Sequence, residues 1–511
     1  MKKQSFSIFF LIVLAAFLFY LPGIARAPLP GDSAIYVARA DVLYLNSYAQ
    51  THPLHVALSH VWIRLFPAHP VFAMGILSAI FGALTIALIF SVTYRLSGSL
   101  WGAAAASASL MVSHTLWYHS VFPEVYSLNT FFQALIMLLL VEWHRSRRGA
   151  WLGLAYFCAA LGCANHLLIG LTMIPASIWV FTIAWRRGSL LKSSPWILGG
   201  FMAGILPLGL WFLNDVHDLG WLTAAKMALV GGGGVKGGQH FSYGHAMLNL
   251  FDPWIFKQLT ISLGFGIYNF AGFAIFLCVA GIAHAIGRQK GPAYLFLSIA
   301  GVHFIFGVSY RIHEHWAFLL PCWLVLPVFI GSGFESVCQS FHRAVPFLAR
   351  KNGKLFLLAA LLLIPPATYA FIPHLIELTF PRDRHLAQRD HKDTVLTYEE
   401  KLIFLLWPPK TSADTQARDI EQTIKSLPDG GVLFLRPSDN AIAYCLQTVD
   451  GLRPEVTVIG NSKDRMLAEL LAGNRVFVKE HNEANKIRAL GHDIHFVNFN
   501  DFVFEVKLGH V

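Results

Sequence analysis

The sequence predicts a polytopic α-helical membrane protein, with about eleven transmembrane helices and a small external α/β domain at its C-terminal end. Three observations predict it. Hydrophobic residues fill 55% of the 511 positions and charged residues only 13%, which is too apolar for a soluble globule of this size. Apolar runs of spanning length recur from residue 6 to residue 373, and the mean hydropathy is +0.53. Beyond them Pro373, Pro381, Arg382, Asp383 and Arg384 open a stretch of ordinary soluble character.

The spans read at about 6–22, 70–94, 100–117, 127–143, 150–164, 167–185, 195–213, 260–286, 293–309, 316–334 and 355–373. Loop charge orients them. Connections assigned alternately to the inside carry Lys2, Lys3, Arg95, Arg145, Arg147, Arg148, Arg186, Arg187, Lys192, Arg288, Lys290, Arg343, Arg350, Lys351 and Lys354, against Glu142 and Glu335. A cytoplasmic N-terminus, a periplasmic or extracellular C-terminal domain and a bacterial inner membrane are therefore expected. Lys2-Lys3, the apolar run and Ala25-Arg26-Ala27 also have the form of a cleavable secretory signal. Either reading puts residue 28 outside the cytoplasm; the retained helix is preferred, because many spans follow and Pro22-Gly23 ends a helix equally well.

The net charge of +10 does not indicate nucleic acid, since the basic residues sit in short clusters between apolar segments rather than in an aromatic-interleaved patch. Cys158, Cys163, Cys278 and Cys322 lie in apolar runs, Cys338 in a basic loop and Cys445 in a soluble segment, so neither a disulfide framework nor a Cys-based metal site is indicated. The chain divides into a membrane module, 1–373, whose first external loop is 22–69, and an external domain, 374–511. In that domain strands are expected at 431–436, 455–459, 475–478, 494–497 and 502–506, with helices at 440–449, 466–471 and 483–490. No nucleotide-binding or hydrolase signature occurs in it.

Nearly all the reactive groups fall on the external side. The first loop holds Gly31-Asp32-Ser33, then Arg39 and Asp41, then His52-Pro53-Leu54-His55, with an amphipathic segment at 33–48 suited to the interface. A carboxylate at the bilayer surface can serve as general base on a hydroxyl nucleophile; Asp32 can equally be the N-cap of a helix starting near Ser33. The second loop runs through Tyr118 and His119 to Glu124-Val125-Tyr126-Ser127-Leu128-Asn129. Glu124, at the start of a span, has either a function or a favourable charge at a helix N-terminus. In the loop 214–259, Gly231 to Gly234 with Lys236 could cradle a phosphate, although flexibility explains the glycines too, and Asp215, His217 and Asp218 lack a recognised metal spacing. Tyr310-Arg311-Ile312-His313-Glu314-His315 closes the set, with Arg311 able to clamp a phosphate or merely anchor the interface.

Together, Gly31-Asp32-Ser33, His52-Pro53-Leu54, Leu116-Trp117-Tyr118, Glu124-Val125-Tyr126-Ser127-Leu128-Asn129, Leu427-Pro428-Asp429-Gly430, Ser438-Asp439-Asn440 and Gly451-Leu452-Arg453-Pro454-Glu455-Val456 resemble the membrane glycosyltransferases of the GT-C superfamily. More narrowly they resemble the protein O-mannosyltransferase-like family, first catalogued as a domain of unknown function, that includes the plexin-type O-mannosyltransferase. The resemblance covers about 20–145 well and returns around 427–460. It departs from the family in having His52-Pro53-Leu54 where His-Pro-Pro is usual, and a compact α/β tail where many relatives continue into helical repeats.

The resemblance implies an inverting enzyme that moves a sugar from a polyprenyl-phosphate donor in the bilayer to a protein, glycan or lipid acceptor on the external face. Asp32 would be the catalytic carboxylate, with Glu124, His52, Tyr126 and Asn129 as secondary site residues and Arg311, Lys236 and His313 on the donor phosphate. The scheme needs no metal, while a divalent cation held by Asp32 and Glu124 is the alternative. A solute or lipid transporter would want ionisable groups at mid-span, and a non-catalytic assembly factor for surface polysaccharide would suit the tail domain.

Overall fold

Inside a bilayer every backbone N–H and C=O must be satisfied within its own segment, so long apolar runs coil. The computed structural model describes residues 3–66, 68–230, 252–312, 314–340, 345–379, 398–460, 462–479, 494–500 and 503–508. Lys236, His313 and the helix expected at 483–490 lie outside them.

Among the described residues seven helices are long and apolar enough to cross a membrane: Pro70–Ser97, Tyr126–Ser146, Leu168–Arg186, Leu190–Leu219, Lys290–Ser309, Leu320–Ser340 and Lys351–Ile376. Trp254–Asn269 and Ala274–Arg288 make an eighth if counted as one span, although they are bent by 96°. This is fewer than the eleven expected, because an apolar run does not reveal where a helix stops. Three of the expected spans form the shorter apolar helices Ser7–Gly23, Leu100–Met111 and Gly149–Cys163. The run expected at 100–117 breaks after Met111, where the Ser113 hydroxyl donates to the Leu110 carbonyl (2.8 Å) and a separate short helix, His114–His119, follows. The run at 260–286 breaks at Phe270, which leaves helical geometry at φ −124°, ψ 50°.

The C-terminal domain carries a five-stranded mixed sheet of β1 (Val432–Phe434), β2 (Thr457–Ile459), β3 (Val476–Val478), β4 (Ile494–Asn498) and β5 (Phe504–Leu508), in the order β2-β1-β3-β5-β4. β1 is parallel to β2 and β3, while β5 runs antiparallel to β3 and β4. The helices Pro437–Asp450 and Lys463–Leu471 match the expected ones within a few residues, and Tyr398–Leu406 and Thr415–Lys425 precede the sheet without having been expected.

One apolar core joins this domain to the membrane module. Ala34, Tyr36, Val37 and Ala40 of the first-loop helix Asp32–Asp41 pack with Ala441, Ile442, Cys445 and Leu446 of Pro437–Asp450 and with Val71, Met74 and Val125 of the membrane module. His69 adds a polar tie, its Nε2 lying 2.9 Å from the Asp450 carboxylate. The helix that carries Asp32 is thus clamped from both sides.

Candidate functional site

Gly31 stands before this helix at φ 85°, ψ −148°, a region that residues with a Cβ essentially avoid. Gly31 is the N-cap, and Asp32 is the first helical residue with no side-chain capping bond. The alternative reading, Asp32 as the N-cap, does not hold: the glycine backbone takes that position and leaves the carboxylate to point elsewhere.

It points into a recess that holds other acids. Asp32 keeps contact with solvent although protein surrounds it on most sides, and this burial raises its pKa; Arg39, two turns further along the same helix, pulls it back down. Glu124 is buried, and its pKa is pushed well above the ordinary carboxylate range by burial first and then by the charges of Asp32 and Glu314. Glu314 is likewise raised, by burial and then by Asp32. Three carboxyl groups from three separate connections thus share one electrostatic environment. None has a cation within ion-pairing distance among the described residues. The Glu124 carboxylate accepts the Val125 N–H (3.1 Å), and its backbone N–H donates to the Ser78 hydroxyl (3.4 Å), which fixes the turn into the Tyr126–Ser146 helix.

Imidazole and aromatic rings form the floor. His52 sits in the left-handed region at φ 53° and caps the helix Pro53–Leu65; its Nδ1 lies 2.5 Å from the Asn165 carbonyl. A carbonyl can only accept, so Nδ1 carries the proton and Nε2 is left as an acceptor. Rings then follow in series: Tyr36 on His52 (5.6 Å), His52 on His166 (5.0 Å), His166 on Tyr126 (5.5 Å), Tyr126 on His119 (4.6 Å) and His119 on Trp316 (5.2 Å). Burial holds His52 down at about 4 and His55 at about 3, so both are neutral at physiological pH. Neither ring nitrogen of His119 has a hydrogen-bond partner among the described residues, and both amide atoms of the fully buried Asn129 are in the same condition. Unpartnered buried polar groups are costly, and His119 and Asn129 carry four such atoms here.

Of the residues singled out from sequence, Asp32, Glu124, His52 and Tyr126 come together, and Asn129 lies one helical turn below Tyr126. Arg311 is occupied elsewhere: its guanidinium donates to Asp252 (2.9 Å) and lies over the Trp254 ring, half exposed. Asp215 is buried against Ser47, taking both its N–H (2.6 Å) and its hydroxyl (2.5 Å), while His217 pairs with Asp218 at the surface (3.0 Å). Among the described residues no three His, Cys, Asp or Glu side chains converge at metal-ligand spacing. Sequence reasoning missed Glu314 and Arg39 as site residues. Glu314 carries the same signal as Glu124, an acid at the end of a span, but Arg311 beside it drew the assignment.

The membrane helices, the acid-lined recess and the appended mixed-sheet domain define a class of fold shared with solved membrane proteins. The whole chain superposes on ArnT from Cupriavidus metallidurans, solved bound to undecaprenyl phosphate, with a TM-score of 0.60 at 12% identity, covering 99% of this chain and 98% of that one. It also superposes on the Archaeoglobus fulgidus oligosaccharyltransferase tethered to an acceptor peptide, with a TM-score of 0.54 at 12% identity, covering 100% of this chain and 74% of that one. Within that class, residues 48–189 match the family described as the protein O-mannosyl-transferase TMEM260 N-terminal domain. The mouse protein O-mannosyl-transferase TMEM260 is 29% identical over 204 residues, 39% of this chain and 28% of that protein. The Dictyostelium discoideum protein of the same name is 22% identical over 151 residues, 26% of this chain and 18% of that protein. The chain thus matches less than a third of the length of these relatives. The resemblance read from Gly31-Asp32-Ser33, His52-Pro53-Leu54 and the Glu124–Asn129 run is borne out at this level.

Proposed function

We propose that this chain is a membrane glycosyltransferase that transfers a sugar from a polyprenyl-phosphate donor to an acceptor hydroxyl at the external face, with Asp32 as general base. The observation that carries this reading is the recess itself, in which Asp32 stands accessible among Glu124 and Glu314 at the membrane boundary with Arg39 as the cation in its field. Relatives named as protein O-mannosyl-transferases and a fold shared with a structure holding undecaprenyl phosphate support it.

In this reading the acceptor hydroxyl gives its proton to the Asp32 carboxylate while its oxygen attacks the anomeric carbon. The bond from that carbon to the phosphate oxygen breaks, and the polyprenyl phosphate leaves with the electron pair, so the anomeric configuration inverts. The two acids divide the work by environment. Arg39 keeps Asp32 nearer its ionised form, whereas burial and two neighbouring carboxylates favour a protonated Glu124 that can donate a hydrogen bond to the sugar or the phosphate. Arg39 is also the cation best placed to offset charge on the departing phosphate, since Arg311 is held by Asp252. His52, held with Nε2 as an acceptor, is suited to a sugar hydroxyl.

The test is transfer from a polyprenyl-phosphate mannose to peptide hydroxyls by the purified full chain, compared with Asp32→Asn. Loss of product with an unchanged unfolding temperature supports the reading, and full transfer by the variant overturns it.

A further inference from the structure

On the face opposite the carboxylates, the structure encloses a second cavity of about 390 Å³. Its rim residue Leu96 lies eighteen residues beyond Ser78 on the Pro70–Ser97 helix, which at 1.5 Å per residue is ~27 Å from the Glu124 turn. It cannot belong to the site described above.

The cavity has a structural cause. Helices Ala274–Arg288 and Leu320–Ser340 touch backbone to backbone: a Cβ at Gly281 would stand 1.8 Å from the Phe329 carbonyl oxygen, and one at Gly333 1.8 Å from that of Leu277. Beyond this contact the first helix ends and the chain turns into Lys290–Ser309, leaving a hollow floored by Phe296 and Phe329. Gln289 pins the rim by donating from Nε2 to the Leu96 carbonyl. His284 and Arg288 line the cavity as its ionisable groups.

Arg288 is exposed and has no ion-pair or hydrogen-bond partner among the described residues. Two cations of this face are neutralised, Arg95 by Glu142 (2.6 Å) and Lys354 by Glu335 (3.6 Å). An apolar floor between helices with an uncompensated guanidinium beside it suits an amphiphile with an anionic phosphate head: the fork of Arg matches two phosphate oxygens, and the rings meet the first acyl carbons.

We propose that this cavity binds one anionic phospholipid, its phosphate on Arg288 and its glycerol end over Phe296 and Phe329. The site anchors the Ala274–Arg288 and Lys290–Ser309 helices at the bilayer surface and does not depend on the transfer reaction.

Native mass spectrometry of the full chain in detergent tests this, with phosphatidylglycerol, phosphatidylcholine or inorganic phosphate added in separate arms. One phosphatidylglycerol should survive activation that strips phosphatidylcholine, and Arg288→Ala should lower its occupancy by about fivefold or more, with Arg288→Lys between the two. Ala293→Trp, which fills the cavity without touching a charge, should displace the lipid as well. Equal retention of the two lipids, equal losses in Arg288→Ala and a control Arg187→Ala, or competition by inorganic phosphate as effective as by lipid would each overturn the proposal.

Discussion

The acid-lined recess and the C-terminal domain treat their charges in opposite ways. In the domain, carboxylates find cations: Arg436 holds Asp439 (3.0 Å), Arg475 holds Glu505 (2.9 Å), Lys479 holds Asp419, and Arg453 holds Asp429 and Glu455. In the recess Asp32, Glu124 and Glu314 stand together without an ion-pair partner among the described residues, above a histidine whose two nitrogens are unpartnered. Paired charge settles a soluble domain at little cost. Like charges gathered in a low-dielectric pocket oppose folding, and they persist where a ligand or a reaction needs them. The difference marks one region as scaffold and the other as site.

The sharpest way to break this contrast is Asp32→Asn. It should reduce sugar transfer by ~10²- to 10⁴-fold, the range for loss of a positioned general base, with little change in unfolding temperature, as steady-state kinetics and thermal unfolding would show. Glu124→Gln removes one like charge and keeps a hydrogen-bond donor. It should cost less, about tenfold or ~1.4 kcal/mol of transition-state stabilisation. Its stability should also flatten with pH: a carboxyl with a raised folded pKa contributes stability below its ordinary pKa and loses it as pH rises through the folded value, so the variant should resist alkaline unfolding better than the parent.

The clamp on the Asp32 helix can be loosened from the other side. Ile442→Ala, in a fully buried position of the shared core, should destabilise by ~2–5 kcal/mol and lower transfer severalfold although Ile442 lies outside the recess. Unchanged activity would separate the domain from the site. His52 and His55 have folded pKa values lowered to about 4 and about 3, so the unfolded chain binds protons first as pH falls; stability should decline from about pH 6.5 downwards, and less so in His55→Gln. The smallest effect is expected for Arg418→Ala, which breaks an exposed i,i+4 pair with Asp414 and should stay within ~0.5 kcal/mol with transfer intact.

Much of this was legible in the sequence because the membrane imposes it. A bilayer forces long apolar runs into helices, and a loop carboxylate beside Gly31 or at the start of a span is conspicuous in so apolar a chain. The strands β1 to β3 were legible for a similar reason, as short apolar runs bounded by turn residues. Arg311 was misleading, since a cation near a site reads the same whether it faces a ligand or Asp252. The breaks at Met111 and Phe270 were hidden because the runs stay apolar through them.

By itself the sequence determined that the chain lives in a membrane and that Asp32 and Glu124 are the acids to watch, because hydropathy and charge are local properties that need no partner to act. Only the tertiary structure decided that Gly31 rather than Asp32 caps the first-loop helix, that Glu314 joins the two acids from 190 residues beyond Glu124, and that Arg39 is the cation in the field of Asp32. Those facts rest on proximity between distant segments, which the packing of the C-terminal domain against the Asp32 helix fixes and which no window of sequence contains.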